Sequence, residues 1–117
     1  MTVKTVYSAE KTAEMVGISK ATLRYYEEYK IIGPISRDVH NYREYTAEDV
    51  EWIKVIVLLR EMGVPVKSLM GVQETRMQDR VDYLKGYRQT VQEKMQQLEK
   101  TDNLLAQKIT YLETHKL

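Results

Sequence analysis

The first third of the chain places its apolar residues at helical spacing in two short segments that flank Gly17. Ser8 precedes the first segment, and its hydroxyl is expected to cap a helix from about Ala9 to Val16. Gly17 readily adopts the left-handed conformation in which helices end. The face of this helix that is predicted to turn inward carries Ala13, Met15 and Val16.

A second helix is predicted after Ser19, which would cap it, and it continues to about Tyr29. The turn between the two helices is short and contains glycine, as a helix-turn-helix requires. Leu23 and Tyr26 are expected to face inward, and the residues expected to face outward are Lys20, Ala21, Arg24 and Tyr25. Taken alone, this helix pair leaves both duplex DNA binding and an ordinary helical hairpin open.

A pair of short strands is predicted next. Gly33-Pro34 ends helical structure, because proline has no N–H to donate. The segments Ile35–Arg37 and Tyr42–Tyr45 read as strands joined by residues 38–41. One interpretation is a surface hairpin that covers the core, and the other is a wing whose donors reach a DNA phosphate. The donors in question are Arg37, Tyr42 and Arg43.

A longer helix is predicted from Ala47 to about Met62. Thr46 followed by acidic residues in the first turn is typical of a helix start. Apolar residues lie on nearly all sides of this helix, which indicates that it is buried, and Trp52 is expected in the core or an interface. Pro65 suits the first position of a further short helix that continues to about Val72. The corner between the two helices carries Arg60 and Lys67.

The last third of the chain carries a heptad pattern in which steps of four and three residues alternate. A seam of this length predicts a coiled coil, and a helix of about 54 Å is too long to fold back on a small head. A second copy of the chain is the simplest partner. The predicted seam residues are Met77, Val81, Leu84, Arg88, Val91, Met95, Leu98, Asp102, Leu105, Ile109 and Leu112.

Two seam positions are charged, Arg88 and Asp102, and they lie at equal separation on either side of Met95. In a parallel dimer each would face its own kind, which is costly when the charges are desolvated. An antiparallel dimer centred near Met95 would bring Arg88 of one chain towards Asp102 of the other. We propose this pairing as a register device. The alternative is that both side chains extend into water.

These elements together predict a mainly α protein. A winged helix-turn-helix DNA-binding domain with a small β-wing is expected over residues 1–75, followed by a dimerisation helix over residues 76–117 that forms an antiparallel coiled coil. The length of 117 residues suits one domain with an extension.

Composition narrows the protein class. No apolar run approaches the roughly 20 residues of a membrane span, and no signal segment opens the chain, so a cytoplasmic protein without membrane contact is expected. The sequence has no cysteine and two histidines, so neither a metal site nor a cofactor is predicted. No nucleophile–base pair or phosphate-binding loop points to an enzyme.

The charge pattern leaves two function classes open. Residues 1–72 carry as many acidic as basic side chains, so the basic footprint usual in nucleic-acid binders is missing. DNA binding therefore requires the fold to gather cations on one face, namely Lys20, Arg24, Arg43, Arg60 and Lys67. The alternative is a coiled-coil adaptor whose head binds another protein.

The stretch from Tyr7 to Leu69 resembles the MerR family of bacterial transcriptional regulators. The resemblance is carried by the Thr-Leu-Arg-Tyr-Tyr-Glu run at 22–27, the Asn-Tyr-Arg-Glu-Tyr wing at 41–45, the Arg-Glu-Met-Gly-Val-Pro corner at 60–65 and the long helix after them. It implies a homodimer on a palindrome in double-stranded promoter DNA, where the spacer between the two polymerase-recognition elements is too long. It also implies that an effector makes the dimer bend and untwist the DNA, so that RNA polymerase engages both elements.

The resemblance also implies roles for single residues. The residues that match the family's DNA contacts are Thr22, Arg24 and Tyr25 on the recognition helix, Tyr42 and Arg43 on the wing, and Arg60 at the corner. Most of them would touch phosphates and fix the register on the DNA. The residues that we choose for contacts with base edges lie near the start of the recognition helix: Ser19, Lys20 and Ala21.

Departures from the family pattern concern a helix end and the effector. Many members have glycine at the positions of Lys30 and Asn41; asparagine tolerates the left-handed conformation and lysine does so poorly, so the helix end is expected to differ. Metal-sensing members use cysteines around the dimer helix, and drug-sensing members carry a ligand domain after it. Three alternatives stay open: a pocket between head and partner coil, a ligand domain outside this sequence, or no small ligand. The candidates for lining such a pocket, or for plain packing, are Tyr83, Tyr87 and Tyr111.

Overall fold

A computed structural model describes residues 5–116 of the chain. The chain divides into two compact units, Met1–Arg76 and Met77–Leu117. The elements of the first unit, called the head below, are β1 (Val6–Tyr7), α1 (Ala9–Val16), α2 (Lys20–Glu28), β2 (Ser36–Arg37), β3 (Arg43–Thr46), α3 (Ala47–Glu61), α4 (Val66–Leu69) and a 3₁₀ turn at Val72–Glu74. The second unit is a single helix, α5 (Met77–Thr114). The predicted mainly α class is confirmed.

Serine caps begin both helices of the predicted helix-turn-helix. Ser8 Oγ accepts a hydrogen bond from the Lys11 N–H at 3.1 Å, and Ser19 Oγ accepts one from the Thr22 N–H at 3.0 Å. Gly17 closes α1 in the left-handed conformation, with φ of 75°. These predictions are confirmed, but Met15 is 37% exposed rather than inward. Because α1 has only about two turns, it buries a narrow stripe that carries Thr12 and Ala13 instead.

The end of α2 depends on Lys30, which adopts the left-handed conformation with φ of 57°. The Lys30 N–H donates to the Glu27 carbonyl at 3.0 Å, and the Ile31 N–H donates to the Tyr26 carbonyl at 2.9 Å. A left-handed backbone costs a residue with a Cβ roughly 1–2 kcal/mol. Ile31 and Ile32, which follow, are 0% and 2% exposed, and their burial offsets this cost. The expectation that the helix end differs is therefore wrong, because Lys30 keeps the left-handed conformation.

A three-stranded antiparallel sheet with the order β1-β3-β2 lies beside the helices. Ser36 pairs with Glu44 and Arg37 with Arg43, which confirms the predicted hairpin, although its first strand begins one residue after Ile35. The strand β1, which pairs through Val6 with Thr46, was not predicted. Two residues are too few to show a period of two, so only tertiary pairing defines this strand.

The core of the head is built around α3. A capping box at Thr46 and Asp49 begins this helix, and Ile53 and Ile56 are fully buried in the region where α3 packs against α1 and β3. Trp52 is 8% exposed, which confirms its predicted place in the core. The expectation that α3 is buried on all sides is wrong at Leu58, which is 61% exposed. The described part of this small head places no second layer over the outer side of the helix.

The corner after α3 differs in detail from the prediction. Pro65 is the cap residue before α4 rather than its first helical residue, and α4 ends at Leu69 instead of near Val72. Gly71 interrupts the helical path in the left-handed conformation, with φ of 77°, and the 3₁₀ turn follows. The chain then enters α5, whose 38 residues correspond to about 57 Å. No helix within residues 5–116 combines the length and apolar character that crossing a bilayer requires.

Thr12→Val is expected to raise the free energy of unfolding by about 1–2 kcal/mol, because Thr12 Oγ1 is buried with no hydrogen-bond partner within residues 5–116. Valine keeps the shape of the side chain and removes the unsatisfied hydroxyl. Urea unfolding followed by circular dichroism measures the change. Thr110→Val, at an exposed position on α5, is the control and is expected to change stability little. A loss of stability in Thr12→Val would show that the hydroxyl is satisfied in solution.

Candidate nucleic-acid interface

The outer face of α2 is polar and cationic. Leu23 and Tyr26 are 1% and 6% exposed and anchor the helix to the core. The residues between these anchors that face outward are Lys20, Ala21, Arg24 and Tyr25, as predicted, and Thr22 is half-buried. A helix held by two buried anchors presents its other side at a fixed angle, which suits it for entering a groove.

A small crevice lies beside this face and collects cations from two elements. It has a volume of about 30 Å³, and its lining comprises Ala9, Lys20, Leu23, Arg24, Arg43 and Tyr45. Within residues 5–116, the side chains of Lys20 and Arg24 form no ion pair or hydrogen bond. These two cations are therefore not neutralised by the described part of the head. Their charge is available to an anion approaching the crevice.

One carboxylate connects the recognition helix to the wing. Glu27 on α2 accepts a hydrogen bond from Nε of Arg43, and Arg37 Nη2 lies 3.9 Å from the other oxygen. The Glu27 and Arg43 side chains are 18% and 25% exposed, so the pair is only partly screened by water. Sequence reasoning singled out both arginines and missed Glu27. An acidic side chain in a segment that is expected to bind DNA through cations is not a signal in the sequence.

The tip of the wing is held by Asp38, which was not predicted. Its Oδ1 accepts hydrogen bonds from the His40 N–H at 2.8 Å and the Tyr42 N–H at 2.9 Å. Asn41 adopts the left-handed conformation with φ of 67°, and its carbonyl accepts a bond from Arg37 at 3.1 Å. The aspartate at the start of this turn is a sequence signal that could have predicted it, since aspartate side chains accept hydrogen bonds from the backbone N–H two residues further along. This tight turn leaves the Tyr42 side chain 71% exposed.

Hydroxyl groups at the start of α2 are engaged within the helix. Ser19 Oγ caps the Thr22 N–H and also lies 2.9 Å from Thr22 Oγ1. Tyr25 packs against Tyr29, with ring centroids 4.5 Å apart. Of the residues proposed to read base edges, Lys20 and Ala21 are thus free of such internal bonds within residues 5–116, whereas Ser19 is committed to the cap.

The corner cations lie outside the crevice lining. Arg60 Nη1 donates to the Val64 carbonyl at 2.9 Å and thereby closes the turn after α3. Lys67 is exposed on α4. The structure therefore brings Lys20, Arg24 and Arg43 together and assigns Arg60 a structural bond within the corner.

Tyr45 closes the inner side of the crevice. Its side chain is 0% exposed, and its hydroxyl has no hydrogen-bond partner within residues 5–116. Burial, and secondarily the negative charge of Glu27, raise the pKa of Tyr45 to about 12. The hydroxyl is therefore neutral at physiological pH, and the crevice keeps its positive character.

No group of three or more metal-binding side chains comes together within residues 5–116. The cationic lining of the crevice suits an anion rather than a metal ion.

The predicted seam residues of α5 are presented on a helix without a buried residue. Met77, Met95 and Leu98 are 72%, 63% and 68% exposed, and Leu105, Ile109 and Leu112 are each more than half exposed. An apolar row of this length on one helix is typical of an interaction surface. On the same helix, the Tyr83 hydroxyl donates to the Tyr87 hydroxyl at 3.3 Å. This bond joins two of the three candidate pocket tyrosines.

Comparison with known proteins agrees with this geometry. The model of the MerR HTH family of regulatory proteins matches residues 7–75. The chain is 37% identical over 60 residues to the HTH-type transcriptional regulator AdhR of Bacillus subtilis strain 168, a match that covers 51% of the chain and 43% of AdhR. The chain thus spans less than half the length of that relative.

Two further matches extend over nearly the whole chain. An uncharacterised HTH-type transcriptional regulator of Haemophilus influenzae is 24% identical over 116 residues, covering 94% of this chain and 86% of that protein. The crystal structure of HiNmlR, a MerR family regulator lacking the sensor domain and bound to promoter DNA, superposes with a TM-score of 0.74 at 23% identity, covering 94% of this chain and 92% of that one. The fold is therefore shared with that structure over 94% of this chain.

Alkaline pH is expected to destabilise the head through Tyr45. Its folded-state pKa of about 12 lies above the ordinary value of 10.0, so the folded state binds more protons between these values. The contribution of Tyr45 to the free energy of unfolding is therefore fully present below pH 10, and it is lost as the pH rises towards 12. Urea unfolding across this range should show a shallower decline in Tyr45→Phe than in the wild type. Tyr42→Phe, which removes an exposed hydroxyl, is the matched control. Equal slopes for wild type and Tyr45→Phe would contradict this assignment.

Proposed function

Because the chain belongs to the MerR family of HTH regulatory proteins, it is a DNA-binding transcriptional regulator, and we propose that it acts as a homodimer on a palindromic promoter operator. The observation that carries the proposal is the crevice beside α2, which joins Lys20 and Arg24 of the recognition helix to Arg43 of the wing. Cations from two neighbouring elements suit a phosphate of the DNA backbone, since phosphate contacts fix register and orientation.

In this proposal, α2 enters the major groove and the wing lies along the adjacent backbone. Lys20 and Ala21, with Ser19 at the cap, are placed at the start of α2, where base edges are read. The residues proposed to contact phosphate or fix register are Thr22, Arg24, Tyr25, Arg37, Tyr42, Arg43, Arg60 and Lys67. The exposure of Tyr42 at the wing tip supports its place in this set.

Glu27 gives the wing its proposed role as a rigid arm. By engaging both Arg43 and Arg37, it holds the two arginines close to the recognition helix before DNA arrives. Holding a flexible side chain in its bound position reduces the entropy lost on binding. The acidic charge also limits indiscriminate attraction to phosphates, which favours sequence reading over general affinity.

The dimer is proposed from the exposed seam of α5. Two copies that run antiparallel and meet near Met95 would cover the apolar row on each chain. In that arrangement Arg88 of one chain lies towards Asp102 of the other, and two heads are held at a fixed separation. Fixed separation is what a palindrome requires, because its half-sites lie a set number of base pairs apart.

The proposed action on the promoter is deformation. HiNmlR is bound to promoter DNA, and the shared fold supports promoter DNA as the partner here. We propose that the dimer bends and untwists this DNA, so that RNA polymerase at the same promoter engages both recognition elements. Such a regulator acts in the cytoplasm, where promoter DNA and polymerase meet.

Arg24→Ala is expected to weaken operator binding by about 1–3 kcal/mol, because it removes a cation of the crevice that has no partner within residues 5–116. The operator is obtained by selecting duplexes from a random-sequence library with the wild-type dimer, and affinity is measured by fluorescence anisotropy. Lys54→Ala removes an exposed lysine that is paired with Glu51 on α3, and it is the matched control.

The same titration is repeated at several salt concentrations. A steep fall of affinity with salt is expected for the wild type, and Arg24→Ala should reduce the slope by about one. Affinity that is independent of salt, and unchanged in Arg24→Ala, would favour the coiled-coil adaptor instead.

Charge reversal tests the antiparallel register. Asp102→Arg is expected to weaken the dimer, because it places arginine opposite Arg88, and adding Arg88→Asp should restore it by exchanging the two charges. Sedimentation equilibrium measures the dimer constant of each variant. Leu98→Asp, which inserts a charge into the apolar seam, is the reference for a disrupted dimer. Failure of the second substitution to restore association would refute the pairing.

A further inference from the structure

The segment between α4 and α5 is hydrogen-bonded to the connection that follows the recognition helix. The Gly71 N–H donates to the Lys30 carbonyl at 2.7 Å. The Gly33 N–H donates to Oε1 of Gln73, also at 2.7 Å. The chain that enters the dimer helix is thus joined at two points to residues 30–33, directly after α2.

Gln73 also reaches a second element of the head. Its Nε2 donates to Asp49 Oδ1 at 2.9 Å, while Asp49 Oδ2 accepts the Thr46 N–H at 2.9 Å in the capping box of α3. Asp49 is only 9% exposed, so its carboxylate needs these donors. A primary amide both accepts and donates, and no charged side chain offers this combination at neutral pH. Glutamine is therefore chemically matched to the position.

The connection that Gln73 holds is itself rigid. Ile31 and Ile32 are buried, and the Trp52 indole N–H donates to the Ile31 carbonyl at 3.4 Å. Gly33 has a φ of 100°, and a Cβ at this position would meet the Ile35 nitrogen at 3.2 Å. A displacement of Gln73 therefore acts on a packed segment between α2 and the wing, rather than on a free loop.

We propose that Gln73 is a positioning residue that fixes the recognition helix relative to the chain entering the dimer helix, and thereby sets the separation of the two half-sites that one dimer accepts. The proposal rests on the proposed function. Gln73 lies four residues before Met77, where α5 begins, and its Oε1 bond with the Gly33 N–H joins the segment before the long helix to the helix–wing connection. In this proposal, a small shift at this attachment moves each head along the DNA and thereby changes the half-site spacing that the dimer selects.

The experiment compares the spacings that full-length dimers select. Wild-type protein and Gln73→Ala are each used to select duplexes from a library in which two half-sites are separated by a randomised number of base pairs. The wild type is expected to select one spacing. Gln73→Ala is expected to select several spacings with the same half-site sequence, and to bind the wild-type operator about 5–30-fold more weakly. Gln78→Ala removes an exposed glutamine bonded to Asp82 and is the matched control.

A double substitution separates positioning from simple destabilisation. Gln73→Glu places a second carboxylate against Asp49 and is expected to broaden the selected spacing as Gln73→Ala does. Adding Asp49→Asn should restore a single spacing, because the new amide donates to Glu at 73 while its oxygen still accepts the Thr46 N–H. Thermal melting is recorded for every variant, so that a change in spacing is compared with any change in stability.

The outcomes distinguish the two proposals. If Gln73→Ala keeps the wild-type spacing and only its affinity or melting temperature falls, Gln73 has a purely structural role and the positioning proposal is overturned. The same conclusion follows if the double variant is as stable as the wild type but does not recover the single spacing. If the wild type selects no duplex at all, the proposed function fails, and the positioning proposal fails with it.

Discussion

The burial of α3 is the constraint on which the rest of the head depends. Ile53 and Ile56 lie at the centre of the core, where α3 packs against α1 and β3, and Trp52 reaches from the same helix to the Ile31 carbonyl after α2. Removing this apolar surface from water is the main favourable contribution to folding a domain of this size. Because α1, β3 and the end of α2 are arranged around one helix, the recognition helix and the wing take fixed positions with respect to each other.

The charged side chains of this head are arranged unevenly, although their sum is zero. The first 72 residues are neutral overall, yet Lys20, Arg24 and Arg43 share a crevice, and Glu27 draws Arg43 and Arg37 towards α2. Because salt screens exposed charges beyond about a Debye length, a ligand responds mainly to the charges nearest to it, so local placement outweighs the sum. In the proposed function, such a head binds DNA through a few directed phosphate contacts rather than through general attraction.

The two units differ in how their apolar residues are buried. The head buries its own core, whereas α5 presents an apolar seam in which residues such as Met95 and Leu98 are more than half exposed. A helix of this kind gains little from its own chain, and its stability depends on a second surface. Within the head, the bonds of Gln73 and Gly71 join the segment before α5 to the end of α2. These bonds fix the segment before α5 against the rest of the head.

Local signals in the sequence determined most of the elements. Ser8, Ser19 and Thr46 cap helices because a short side-chain oxygen satisfies a free backbone N–H, and that requirement is met by nearest neighbours in the chain. Heptad spacing determined the long helix in the same local way. Tertiary structure alone decided what depends on distant residues: strand β1 exists only by pairing with β3, and Leu58 is exposed because no side chain of residues 5–116 covers it. The Glu27 and Gln73 contacts likewise span 16 and 40 residues, and no periodicity in the sequence records such a partner.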